Sequence, residues 1–210
     1  MSKVKICGLS RAEDIDAVNR ALPDYIGFVF AESRRRVSEA TAAMLREKLD
    51  DRIRAVGVFV NEDVLSVAEL FRRGVIDLAQ LHGDEDAGYI ARLKELCGCP
   101  VVKAIGVGDT LPPLPENADY YLFDTLTAQR GGAGKAFDWG ALRDYHGLPF
   151  FLAGGLGVGN IPDAIRSLAP FCVDVSSGAE TNGKKDAALI AQIVRLVRAE
   201  SAGFEADVCE

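Results

Sequence analysis

A chain of 210 residues, 49% of them hydrophobic, is long and apolar enough to bury one sizeable core. With 24 lysines and arginines against 31 aspartates and glutamates the net charge is -7, and the one dense basic cluster is Arg34, Arg35 and Arg36, which argues against a nucleic-acid partner. The N-terminus enters a strand-like run without the apolar stretch of a secretory signal, and no apolar run approaches the ~18 residues of a membrane span, so a cytoplasmic protein without membrane contact is expected.

In chain order, short apolar runs alternate with amphipathic stretches. The runs are Val4 to Cys7, Tyr25 to Phe30, Ala55 to Val60, Leu78 to His82, Val101 to Val107, Tyr120 to Asp124, Phe150 to Ala153 and Cys172 to Ser176. Near-continuous Val, Ile, Leu and Phe marks strands covered on both faces, hence a parallel sheet. Ala40 to Leu49, Val64 to Phe71 and the closing Ala187 to Val197 carry apolar residues at helical spacing. Ser38 with Thr41, Asn61 before Asp63, and Asn160 followed by Pro162 supply helix starts.

Eight β-then-α units predict a single-domain (β/α)8 TIM barrel over residues 1–202, with a doubly wound sheet as the alternative. About 26 residues per unit leave short loops and no lid domain. Pro112, Pro113 and Pro115 predict a fifth helix that is short, irregular or absent. Residues 203–210, with Cys209, are expected to form a frayed tail.

Two strand-like runs end in a single ionisable group, Cys7 in one and Asp124 in the other. In a parallel barrel both reach the C-terminal mouth, where a thiol and a carboxyl can move protons in opposite senses, as an aldose-to-ketose isomerisation requires. Each has an ordinary explanation when taken alone, Cys7 as a small buried hydrophobe and Asp124 as a strand-end cap or lysine partner. A base role for Cys7 needs donors or positive charge nearby, because an unperturbed thiol pKa of ~8.5 leaves little thiolate. An acid role for Asp124 needs burial or a nearby negative charge.

Leu152 to Ile161 (L-A-G-G-L-G-V-G-N-I) and Val173 to Glu180 (V-D-V-S-S-G-A-E) put small residues directly after the seventh and eighth strands. Backbone N–H groups there can close around a phosphate, and barrels commonly bind phosphate at this position. One of Arg34, Arg35 and Arg36 is expected to meet a substrate carboxylate. Lys5 and Asp174 lie inside strands, where a charge needs a partner; Lys5 reads as a structural barrel charge and Asp174 as that or as a contact to a substrate hydroxyl. His82 is either a substrate contact or a histidine satisfied by its surroundings. Gly131, Gly132, Gly134 and Lys135 read as a flap over bound substrate, without Walker spacing. Five cysteines at irregular spacing fit reduced thiols, and Cys97-Gly98-Cys99 with two histidines in the chain is far from a zinc pattern, so no metal is expected.

Taken together, K-I-C-G (Lys5 to Gly8), G-F-V-F (Gly27 to Phe30) with S-R-R-R-V, V-G-V-F-V-N (Val56 to Asn61) and Q-L-H-G (Gln80 to Gly83) resemble the phosphoribosylanthranilate isomerase family. So do F-D-T (Phe123 to Thr125), G-G-A-G-K-A-F-D-W (Gly131 to Trp139), A-G-G-L (Ala153 to Leu156), V-D-V-S-S-G-A-E and G-K-K-D (Gly183 to Asp186). The resemblance implies a cofactor-free enzyme of tryptophan biosynthesis that performs an Amadori rearrangement on phosphoribosylanthranilate, a small-molecule substrate, as a monomer or homodimer. Within it Asp124 resembles the general acid, Cys7 the general base, and Arg35 the partner of the anthranilate carboxylate. Gly154, Gly155, Ser177 and Gly178 resemble the phosphate cup, and Asp174 a contact to the opened sugar. The related isomerase of histidine biosynthesis has an aspartate where this chain has Cys7. Indole-glycerol-phosphate synthase needs catalytic lysines that this spacing does not provide.

Overall fold

The computed structural model describes residues 1–125 and 138–207. Eight parallel strands close into one barrel: β1 (Lys3–Cys7), β2 (Tyr25–Val29), β3 (Arg54–Phe59), β4 (Leu78–Leu81), β5 (Val101–Val107), β6 (Tyr120–Thr125), β7 (Phe150–Leu152) and β8 (Cys172–Val175). The last pairs with the first in register Lys5 with Asp174. Six helices occur among the described residues: α1 (Ala12–Ala21), α2 (Glu39–Arg46), α3 (Val64–Arg72), α4 (Ala87–Cys97), α5 (Ile161–Leu168) and α6 (Ala187–Asp207). This is the expected barrel, not the doubly wound alternative.

The larger core lies between the barrel wall and the helices, with Ile6, Ile26, Phe28, Phe59, Phe123 and Leu152 pointing outward into it. The smaller core fills the barrel itself, with Tyr25, Val56, Leu78, Val102, Leu122, Phe151 and Cys172 packed together. Side chains alternate across a strand, so the residue two positions on from an inward one also faces inward. Lys5 and Cys7, Leu78 and Gln80, Leu122 and Asp124, and Cys172 and Asp174 are such pairs. In the last three pairs the order runs from apolar filling low in the barrel to a polar group nearer the C-terminal mouth; in the first, the lower residue is the buried Lys5.

The opposite end is closed by a repeated device. Asp24, Asp77 and Asp119 stand immediately before β2, β4 and β6 and accept the N–H groups of Val4, Ala55 and Val101 at 3.0, 2.7 and 2.8 Å. Each ties the start of an odd strand to the chain entering the next.

The missing fifth helix that the prolines predict, and two local departures from the expected pattern, have simple causes. No helix forms between β5 and β6, where Pro112, Pro113 and Pro115 remove donors and clash with helical neighbours. The N-cap of α3 is Asp63, whose side chain accepts from Leu65 and Ser66, whereas Asn61 lies in the left-handed region and bonds across to Asp84. The helix closing the chain continues to Asp207, past residue 202 where the sequence pattern set the end of the barrel, and Ala202 and Ala206 are strong helix formers. The glycine flap of residues 131–135 and Cys209 lie outside the described residues.

Candidate active site

The mouth is organised by Lys5. Its ammonium, fully buried, donates to Asp174 Oδ2 at 2.7 Å and to Gln80 Oε1 at 2.8 Å, so one side chain links β1, β4 and β8 through the barrel interior. Burial alone would lower its pKa, but Asp174 and Cys7 outweigh burial and keep Lys5 charged. Because Gln80 presents its oxygen to Lys5, its amide N–H₂ must face the other way. It donates to His82 Nδ1 at 3.0 Å, which assigns the imidazole proton to Nε2, and Nε2 lies 3.7 Å from Asp124 Oδ2. Outside the wall, Lys103 pairs with Glu85 and donates to the carbonyls of Leu81 and Gly83, fixing the turn that carries His82.

Asp124 is held at the end of β6 with Oδ1 accepting the Thr125 N–H at 2.7 Å. Burial pushes its carboxyl up to about 6; the Thr125 bond opposes this, Asp174 adds to it and Lys5 opposes it. Cys7 is buried at the end of β1, and its thiol occupies space that only a glycine at position 27 leaves open, since a Cβ there would lie 2.7 Å from Sγ. Burial pushes the thiol up, Lys5 and Lys185 pull it down, and Asp174 pushes it up. The proposed acid and base thus both feel Lys5 and Asp174. Asp174 Oδ1 is buried without a hydrogen-bond partner, one of two such side-chain atoms among the described residues, and is the natural acceptor for a ligand hydroxyl.

Beside this pair the loops after β7 and β8 touch. A Cβ on Gly178 would sit 2.1 Å from the Leu156 carbonyl oxygen, and one on Gly154, whose φ is +85°, would sit 2.5 Å from Thr125 Oγ1 and 3.1 Å from Asp124 Oδ1. Asn160 stands at the N-cap of α5 as expected, with Pro162 in the first turn, but its side chain bonds no first-turn N–H; it accepts the Gly157 N–H at 2.9 Å and donates to the Gly155 carbonyl at 3.1 Å, bracing the first loop from within. Ser177 and Gly178 open a single 3-10 turn, Ser177–Ala179. The two loops meet beside the start of α5, where backbone N–H groups can face a dianion. A separate cavity of about 290 Å³ near α4 is lined by Glu62, Asp84, Glu85 and Asp86, whose charges would repel one.

Arg35 folds its stem over Gly8, where a Cβ would come within 2.4 Å of Arg35 Cδ, and thereby stands next to Cys7. Its guanidinium is paired with Glu180: Nε donates to Oε1 at 2.6 Å and Nη2 to Oε2 at 3.1 Å. Glu180 and Lys185 had no assigned role in the sequence reading. They belong to a hairpin, β9 (Glu180–Thr181) and β10 (Lys184–Lys185), whose turn residues Asn182 and Gly183 are a recognisable signal.

The model of the family described as N-(5'phosphoribosyl)anthranilate (PRA) isomerase matches residues 4–196. The chain belongs to the phosphoribosylanthranilate isomerase family. Among family members, N-(5'-phosphoribosyl)anthranilate isomerase of Endomicrobium trichonymphae is 50% identical over 199 residues, covering 94% of this chain and 99% of that protein. The crystal structure of the Thermotoga maritima enzyme superposes with a TM-score of 0.83 at 32% identity, over 95% of this chain and 100% of the other. A phosphoribosylanthranilate isomerase structure in complex with reduced 1-(o-carboxyphenylamino)-1-deoxyribulose 5-phosphate gives 0.79 at 31% identity with the same coverage. This family member is accordingly an isomerase, and no helix among its described residues is long and apolar enough to cross a membrane.

Proposed function

We propose that Asp124 and Cys7 divide the acid and base work of the isomerase reaction between them. The reaction is the Amadori rearrangement of N-(5-phosphoribosyl)anthranilate to 1-(o-carboxyphenylamino)-1-deoxyribulose 5-phosphate, a step of tryptophan biosynthesis. Asp124 gives its proton to the furanose ring oxygen as the C1'–O bond breaks and the anthranilate nitrogen supplies the electron pair, leaving an iminium ion and a carboxylate. The Nε2–H of His82 faces that carboxylate and stabilises the charge as it develops. Cys7 thiolate then takes the C2' proton, the C–H electron pair neutralises the iminium, and the enolamine tautomerises to the ketone. Each proton transfer is worth about 10²- to 10⁴-fold in rate.

The observation that carries this reading is that a carboxyl raised towards neutrality by burial and a buried thiol on which Lys5 and Lys185 act lie at one barrel mouth, beside the touching loops after β7 and β8. Gly154, Gly155, Ser177 and Gly178 would receive the phosphate, Asp174 Oδ1 a hydroxyl of the opened sugar, and Arg35 the anthranilate carboxylate. No step requires a group that the chain does not supply.

The test is the loss of anthranilate fluorescence when freshly generated phosphoribosylanthranilate meets the wild type, with spontaneous hydrolysis subtracted. Rapid conversion is expected in the wild type and its near-complete loss in Cys7→Ser and Asp124→Asn. Wild-type turnover in either variant would remove that residue from the mechanism.

A further inference from the structure

Among the described residues, Glu180 pairs with three cations. The Asn182-Gly183 turn, with φ values of 53° and 74°, makes the two-residue connection that sets Glu180 opposite Lys185 across the hairpin. Lys185 Nζ donates to Glu180 Oε1 at 2.8 Å and to the Ser176 carbonyl at 2.8 Å, and Ser176 Oγ in turn donates to the Cys7 carbonyl at 3.1 Å. Arg34 Nη2 reaches Glu180 Oε2 at 2.6 Å from the solvent side, and Arg35 holds both oxygens. The Glu180 side chain is only 5% exposed and that of Lys185 2%. Three cations from two loops therefore share one nearly dry carboxylate.

We propose that Glu180 is a positioning residue of the isomerisation, holding Arg35 by its inner edge so that its outer edge faces the substrate carboxylate, and neutralising Lys185 beside Cys7. The inference rests on the reading of Arg35 given above and adds to it what fixes the guanidinium. A guanidinium has two edges that can each form a fork. Glu180 takes the Nε–Nη2 edge, and among the described residues no acceptor meets Nη1. With the inner edge pinned and the stem packed on Gly8, little rotamer freedom is left for the substrate to remove. Burial disfavours the charged form of Glu180, but its bonds to Arg35 and Lys185 prevail and hold it at about 2, so it stays a carboxylate at every working pH.

The second half of the proposal concerns the thiol. The charged groups facing Cys7 are Lys5 from β1, Asp174 from β8 and Lys185 from the hairpin. Burial pushes the Lys185 ammonium down and Glu180 opposes this; at a pH where Lys185 keeps its proton without the carboxylate, removing Glu180 leaves an unbalanced ammonium that favours the thiolate. The two functions then respond in opposite directions, substrate binding weakening while thiol reactivity rises. A residue that merely supported the loop would lower both when lost, or neither.

Glu180→Gln keeps the shape and removes the charge. Steady-state kinetics should give a KM raised about tenfold, the equivalent of one charge-assisted bond, with kcat changed much less. Iodoacetamide labelling of the Cys7 peptide, followed by mass spectrometry, at one fixed pH below neutrality where Lys185 keeps its proton, should be several-fold faster than in the wild type. An unchanged KM, or slower labelling, overturns the proposal. Glu180→Asp keeps the charge but cannot span Arg35 and Lys185 together, so KM should rise while labelling stays at the wild-type rate; this variant decides the matter even where Gln at position 180 does not fold, and an unchanged KM in it also overturns the proposal. Arg35→Ala separates the two layers of the argument. If it leaves KM unmoved, the reading of Arg35 fails; if it raises KM while Glu180→Gln does not, the role of Glu180 alone fails.

Discussion

At the N-terminal end of the barrel, Asp24, Asp77 and Asp119 each accept a backbone N–H from the start of the preceding strand, and Asp77 and Asp119 are further paired with Arg46 and Lys94. At the C-terminal end, Asp174 keeps one oxygen buried and unpartnered, and Asp124 is desolvated until its carboxyl titrates near 6. The same side chain ties the structure together at one end and is left partly unsatisfied at the other. A buried polar group without a partner costs stability, so the unpartnered Oδ1 of Asp174 marks a place where a ligand completes it. In parallel barrels the strand C-termini carry chemistry and the N-termini stability, and here the difference can be read from individual hydrogen bonds.

The comparison is broken most severely at the top by removing the proton-transfer groups. Cys7→Ala and Asp124→Asn should each lower kcat by about 10²- to 10⁴-fold, with circular dichroism and elution volume unchanged. Retained activity in Asp124→Asn would mean that the raised carboxyl has no catalytic role and that the contrast between the two ends is one of stability alone.

The same Asp124→Asn substitution should make the protein more stable. The carboxyl moves from 3.8 to about 6 on folding, so the native state binds more protons than the unfolded chain between those values. Stability falls as pH rises through that window, and above it the penalty is complete, about 3 kcal/mol for a shift of two units. Asparagine carries no such penalty. Urea unfolding should therefore show Asp124→Asn more stable than wild type at pH 8 by up to that amount, with the gain vanishing below pH 4. An equal gain at both pH values would place its origin in packing.

At the bottom the expectation reverses. Asp77→Ala leaves the Ala55 N–H without its acceptor and releases Arg46, which should lower stability by about 1–3 kcal/mol. Its kcat at 25 °C should stay within about twofold of wild type, because Asp77 lies at the end of the barrel away from the site. A large kcat loss with unchanged urea midpoint would erase the distinction between the ends.

All eight strands were legible in the sequence because each is a short apolar run, and Cys7 and Asp124 stood out because each is the one ionisable group near the end of its run. Period-two alternation then puts Lys5 on the face of Cys7 and Asp174 on that of Cys172. What stayed illegible were partnerships between remote residues. Lys5 and Gln80 are 75 positions apart, Arg35 and Glu180 145, and no local pattern couples them. The β9–β10 hairpin is a different case. Its Asn182-Gly183 turn was a usable signal, but strands of two residues are too short to show alternation. The roles of Glu180 and Lys185 were missed with it.

The smallest effect expected is in the pH dependence, and it tests whether acid and base act in the protonation states proposed. Asp124 titrates at about 6, and burial holds Cys7 above the ordinary thiol range, so at neutral pH most molecules carry a carboxylate and a thiol. The working form, carboxylic acid with thiolate, is a minority species. Between the two values its population is constant, because each unit of pH that raises the thiolate tenfold lowers the acid tenfold. Below about 6 the acid is saturated and further protonation only removes thiolate; above the Cys7 value the thiolate is saturated and only the acid is lost. kcat/KM should therefore be nearly flat from pH 6.5 to 8.5 and fall on both sides, with the acid limb near 6 reporting Asp124 in the free enzyme. A rate that climbs tenfold per unit across neutrality would mean that thiolate formation alone limits the reaction and that Asp124 does not act as its acid.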